Sequence, residues 1–422
     1  MTTTLAVLIA AAVAWIIAHF VADWIQERFF VTTGSEYMLL GVLLGPVPVF
    51  ATLIGTDNSF ILISQDTLRQ LDPLMSLAVG WVGLTYGASL SPTRLVARGR
   101  GALTLSLVAT VVTGLVVFGA SYFLFGLAWH GELSQAERLG GASGLGMAAA
   151  VSSPTVLRAI KVKFEAQGPT TKLLGQTGRL EEFIGILGFG VIFCVFHEDS
   201  SSLGREITPF EWFGISVGLG LVLGALFRFF LKDEDDRDKQ FLSLVGIIVF
   251  ASGAAHFLDL SPLLVNAVMG TAMMAGVNDD ASERILAILE RSRRPMYMVM
   301  LIFAGAMWLP IPAMGWAFVA AYIVVRLAAR MLSGWVSSVF LPGEIRRDVG
   351  RGLLPQGEVA VAMALNLTLV FGGRPVMPWV FSAILVSVLL NEFWSARLLR
   401  GLLIDAGDIR HSALQEPELE ES

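Results

Sequence analysis

Apolar segments about 18 to 25 residues long recur from one end of this chain to the other, and each is long enough to cross roughly 30 Å of hydrocarbon at 1.5 Å of helical rise per residue. Within hydrocarbon every backbone N–H and C=O must find a partner inside the protein, so segments of this length point to a bundle of membrane-spanning helices. The composition agrees: 55% of the 422 residues are hydrophobic and 15% are charged, at a mean hydropathy of +0.70. That is too apolar for a soluble globular domain of this length.

Thirteen candidate spans follow, at 5–22, 37–54, 74–90, 102–125, 139–160, 173–196, 210–231, 241–258, 260–277, 295–309, 313–340, 350–371 and 376–399. The first lacks a basic flank and a small-residue cleavage site and is expected to be retained rather than removed as a signal peptide. Residues 1–404 are read as one transmembrane unit. The acidic segment 405–422 is read as a disordered tail. A single cysteine, Cys194, excludes an intrachain disulfide and any multi-cysteine metal centre. There is no nucleotide-binding Gly-rich loop and no nucleic-acid footprint, so neither an enzyme nor a cofactor is expected.

The basic residues test the span count, because cytoplasmic loops retain Lys and Arg. With the N-terminus outside, every second loop and the C-terminal tail, counted with the span ends that flank them, hold 23 of the 29 basic residues. The opposite loops hold only Arg69, Arg138, Arg205 and Arg374, and Arg179 and Arg326 lie deeper inside spans. An odd number of spans preserves this alternation. The expected placement is therefore an integral protein of the inner (cell) membrane, lipid on all sides, with a cytoplasmic C-terminus.

Two adjacent acids, Glu181 and Glu182, interrupt the sixth span. Glu182 lies about 14 Å along that helix, near the bilayer midplane, where an intramembrane acid lines a cavity, meets a base or binds a cation. Consecutive helical residues diverge by about 100°, so the two acids should have different partners. A purely structural reading pairs one of them with Arg179. Arg326, about 20 Å along the eleventh span, is the candidate charge-balancing base. Alternatively it snorkels to the interface, as Arg330 one turn later is expected to do.

Two spans carry helix breakers: Ser152, Ser153 and Pro154 in the fifth, and Leu354, Pro355, Gln356, Gly357 and Glu358 in the twelfth. Either could be a plain kink. As a pair, interruptions at corresponding places in two halves point to a transporter's binding site. His19 with Asp23 reads as an interfacial polar pair, and His256 with Asp259 lies beside a loop. Asn266, Asn366 and Glu392 can serve as interhelical hydrogen-bonding groups. Gly185, Gly188 and Gly190 are read as close helix packing.

These residues resemble the monovalent cation:proton antiporter superfamily, on the branch of bacterial sodium/proton exchangers and potassium efflux transporters. Gly41-Val42-Leu43-Leu44-Gly45-Pro46 is similar to the family's second-helix signature, Leu260-Ser261-Pro262-Leu263-Leu264 to its ninth helix, and Leu354-Pro355-Gln356-Gly357-Glu358 to its Pro-Arg-Gly-Glu stretch. The likeness runs from about Leu5 to Leu403. It implies an all-α fold of two inverted repeats with crossed broken helices. A core, about 102–196 and 295–371, would move like an elevator against a dimerisation scaffold, in a homodimer. By the same resemblance Glu182 takes the place of the essential ion-binding Asp, Glu181 that of the preceding Asp or Asn, and Arg326 that of a basic residue. Ser152-Ser153-Pro154 takes the place of a Thr-Asp-Pro or Ser-Ser stretch. Both acids are Glu where the family usually has Asp, and Ser153 brings no charge.

The function implied is exchange of protons for a monovalent cation, Na⁺ or K⁺, with the two competing for Glu182. If Glu181 stays paired with Arg326, one proton exchanges for one cation. The competing readings are a transport-inactive protein of the same fold serving as receptor or assembly subunit, and a passive channel.

Overall fold

The computed structural model describes residues 34–45, 65–89, 99–129, 132–197, 207–231, 237–275, 277, 279–341, 343 and 345–409. The first candidate span, His19, Asp23, Arg205 and residues 410–422 of the tail lie outside them. Among the described residues there are fourteen α-helices, one 3-10 helix and no strand. The helices are α1 (Ser35–Leu44), α2 (Gln65–Gln70), α3 (Asp72–Ser89), α4 (Arg100–Ala128), α5 (Gln135–Ala149), α6 (Thr155–Lys163), α7 (Pro169–Val195), α8 (Pro209–Leu231), α9 (Arg237–Phe257), α10 (Pro262–Met274), α11 (Asp279–Ala306), α12 (Ala313–Ser338), α13 (Glu358–Phe371) and α14 (Met377–Asp405). Five of these, α4, α8, α9, α12 and α14, are long and apolar enough to cross a membrane. Leu107, Val111, Leu115 and Phe123 of α4, and Val324 and Trp335 of α12, stay exposed, as lipid-facing residues do.

Small residues bring the helices together, because helices in lipid gain from close van der Waals packing rather than from a hydrophobic drive between them. On α3, a Cβ at Gly87 would sit 2.0 Å from the Ala267 carbonyl oxygen of α10. The α1–α11 contact is as tight, with a Cβ at Gly305 only 2.0 Å from the Met38 carbonyl oxygen. Gly185, Gly188 and Gly190 likewise abut Val151, Met147 and Leu264, the close packing expected of them. Asn266 donates to Ser252 Oγ at 3.1 Å and Asn366 to Ser261 Oγ at 2.5 Å, tying α10 to α9 and α13 to the start of α10.

The fifth and twelfth candidate spans are interrupted. The chain leaves helix between α5 and α6, around Pro154, and again between the 3-10 helix Val349–Leu353 and α13, where Pro355 has no N–H to offer a ladder. The tenth candidate span is longer than expected. α11 runs unbroken from Asp279 through Pro295 to Ala306, so Arg284, Arg291 and Arg293, read as loop residues, belong to a helix. The apolar run begins only at Pro295 because the charges N-terminal to it lower the local hydropathy. Its buried residues, Ser282, Ile285 and Leu289, instead follow helical spacing along one stripe.

Candidate ion-binding site

The two interruptions meet. Ser153 N donates to the Pro355 carbonyl oxygen at 2.8 Å, and a Cβ at Gly357 would lie 2.6 Å from Ser153 Oγ. Glycine at 357 is what allows the two backbones to approach this closely. Gln356 reaches the other way. Its Nε2 donates to the Ala148 carbonyl oxygen at 2.9 Å, and its Oε1 accepts from Ser387 at 2.7 Å and from Asn391 at 3.1 Å.

The crossing leaves carbonyl groups at the broken ends of α5 and of the 3-10 helix, where the peptide dipoles concentrate partial negative charge. α12 supplies a guanidinium to each. Arg330 Nε donates to the Ala149 carbonyl oxygen at 3.1 Å, and Arg326 Nη2 donates to the Leu354 carbonyl oxygen at 3.0 Å. Both arginines are fully buried, and their i, i+4 spacing puts them on one face of the helix.

Glu181, also fully buried, points into this crossing. It accepts from Arg330 Nη1 at 3.2 Å and makes a short hydrogen bond with Ser152 Oγ. The ion pair therefore falls on Arg330, neither on Arg326 nor on Arg179. Arg330 does not snorkel. An arginine four residues after a buried one shares its stripe, and that stripe faces the crossing rather than the interface.

Glu182 points elsewhere, as the 100° rule requires. Its residue is 1% exposed, and neither carboxylate oxygen has a hydrogen-bond partner among the described residues. It borders a cavity of about 330 Å³ shared with Tyr86, Pro154, Arg158, Glu290 and Arg293. Arg158 on α6 and Glu290 on α11 form an ion pair of 3.6 Å, both partly exposed. Glu358, the first residue of α13, lies beside the cavity. It accepts from Arg293 Nε at 2.6 Å and from the Tyr86 hydroxyl at 2.6 Å.

The candidate residues thus separate into two groups. Ser152, Glu181, Arg330 and Arg326 satisfy the crossing, with Ser153, Pro355 and Gly357 forming it and Gln356 anchoring it to α14. Glu182 and Pro154 line open space, and Glu358 is tied to Tyr86 and Arg293 of the same lining. Sequence reasoning missed Arg293 and Tyr86. Arg293 had a signal, since Ile285, Leu289 and Arg293 fall on one helical stripe at intervals of four, apolar at its first two positions. Tyr86, in an apolar run, had none.

A bundle of membrane-length helices in which two interrupted helices cross, with buried charges compensating their broken ends, is the sodium/proton antiporter type of fold. The chain superposes on a structure of the sodium proton antiporter MjNhaP1 from Methanocaldococcus jannaschii at pH 8, with a TM-score of 0.62 and 16% identity over 95% of this chain and 99% of that one. It also matches an electron-microscopy structure of the same antiporter, with a TM-score of 0.61 and 15% identity over 94% and 96% of the two chains. No protein-family model and no curated protein matches the chain. The likeness therefore lies in the fold.

Proposed function

We propose that this membrane protein is a secondary antiporter exchanging protons for a monovalent cation, sodium or potassium, with Glu182 as the shared site. The observation that carries the reading is a carboxylate withdrawn from solvent yet bordering a cavity, with no hydrogen-bond donor on either oxygen among the described residues. A buried carboxylate without donors is costly as a bare anion. Either a proton or a cation relieves that cost, and only one can do so at a time. Competition of this kind, joined to alternating access, produces exchange. The fold shared with a sodium proton antiporter supports the same reading.

In this scheme the crossed helices belong to a core, about 102–196 and 295–371, that moves like an elevator against the remaining helices. Those form the scaffold and the interface of a homodimer. Thirteen spans put the N-terminus outside and the tail in the cytoplasm. Glu181 is held by Arg330, whose guanidinium keeps its proton. That leaves Glu182 to carry one proton or one cation, an electroneutral cycle.

The test is dequenching of a pH-sensitive dye in proteoliposomes when sodium or potassium is added, with Glu182→Gln as the inactive control. Correctly folded wild type that answers neither ion would favour a receptor or assembly subunit. Exchange that accelerates or reverses with an imposed membrane potential would exclude the electroneutral cycle.

A further inference from the structure

The cavity beside Glu182 is closed on one side by α3 and α11, and the second acid next to it, Glu358, belongs to α13. Glu358 is already engaged. Arg293 Nε donates to its Oε1 at 2.6 Å, and Arg293 Nη2 makes a short contact with the same oxygen. Nη2 also donates to the Tyr86 hydroxyl at 3.2 Å, and that hydroxyl donates to Glu358 Oε1. Glu358 keeps 6% of its side chain exposed and Arg293 17%. Nearer the rim, Glu290 pairs with Arg158 at 3.6 Å and accepts from Arg293 Nη1 at 3.4 Å, and Arg179 is exposed to solvent. Away from these exposed groups, the buried charges are Glu182 and Arg293 in the cavity lining and Glu358, held by Arg293 just outside that lining.

We propose that Arg293 is a tethered cation: by permanently neutralising Glu358 it leaves the site one negative charge, at Glu182, and so restricts cargo to a single positive charge. The inference rests on the exchanger reading of Glu182 and adds the residue that sets the charge of its substrate. A monovalent cation or a proton brings the interior to neutrality, the state least penalised on leaving water, whereas a divalent ion leaves an excess charge. Without the guanidinium two carboxylates would remain, a ligand set that suits a hard divalent cation. An arginine fits this task because it stays protonated and its planar fork holds the carboxylate and the phenol together.

The experiment uses the full chain, purified in detergent and reconstituted. Wild type, Arg293→Gln, Glu358→Gln and the double variant are compared for thermal stabilisation by calcium and for the dye response to sodium and potassium. Arg293→Gln should bind calcium at least about tenfold more tightly than wild type, and adding Glu358→Gln should abolish that gain. Glu358→Gln alone frees Arg293 to turn to Glu182, so the cation concentration for half-maximal response should rise about tenfold or more. Unchanged calcium affinity in Arg293→Gln overturns the proposal, and so does an unchanged half-maximal concentration in Glu358→Gln. Should wild type exchange neither monovalent ion, the exchanger reading fails, while the calcium comparison still decides the role of Arg293. Should Arg293→Gln fail to fold, Glu358→Gln, close in shape to the native residue, decides alone.

Discussion

Ser153 and Pro355, 202 residues apart in sequence, are joined by a backbone hydrogen bond of 2.8 Å where the two interrupted helices cross. The approach depends on the missing side chain next door, since a Cβ at Gly357 would meet Ser153 Cβ at 2.7 Å. Gly357→Ala should destabilise the protein by about 1–3 kcal/mol through overpacking and reduce exchange. Adding Ser153→Gly, which clears the obstructing side chain, should recover part of both losses. Thermal unfolding and the dye assay read the result, and additive losses in the pair would show that the contact is not what matters.

Removing Arg330 leaves Glu181 buried without its counter-charge and the Ala149 carbonyl without its donor. Arg330→Ala should cost about 3–5 kcal/mol. Arg330→Met combined with Glu181→Leu removes both charges and should be less damaging than Arg330→Ala alone. Melting temperatures in one detergent provide the comparison.

The residues after α14 return to the start of the helix that bears Glu181 and Glu182. Asp408 accepts from Thr171 N at 2.6 Å and from Thr171 Oγ1 at 2.7 Å, in place of a local N-cap. Asp408→Ala should cost about 1 kcal/mol. Hydrogen exchange at residues 169–175 should speed up in this variant, with little change at α3.

At the start of α5, Ser134 and Glu137 form a capping box. The Ser134 hydroxyl, and then its amide, hold the Glu137 carboxyl below the usual carboxylate range. A lowered folded-state value means the stabilisation is present above the unfolded value and is lost as pH falls through the folded one. Ser134→Ala should therefore exchange faster than wild type at the first turn of α5 near neutral pH. The difference should shrink below about pH 4.

Much of this was legible in one dimension. Apolar runs of spanning length show that the chain crosses a membrane, because hydrocarbon thickness and helical rise are fixed quantities. Proline marks both interruptions, joined by glycine in the second, since each acts on its own backbone. The 100° step between neighbours already separates the environments of Glu181 and Glu182. Which base meets which acid was not legible. Arg326 and Arg330 are chemically identical and share one stripe of α12. Only the crossing angle and depth of the neighbouring helices turn Arg330 to Glu181 and Arg326 to the Leu354 carbonyl. The same holds for Arg293, whose partner Glu358 lies 65 residues away. Local rules of length, spacing and propensity are properties of the sequence, whereas charge pairing between distant helices is a property of their packing.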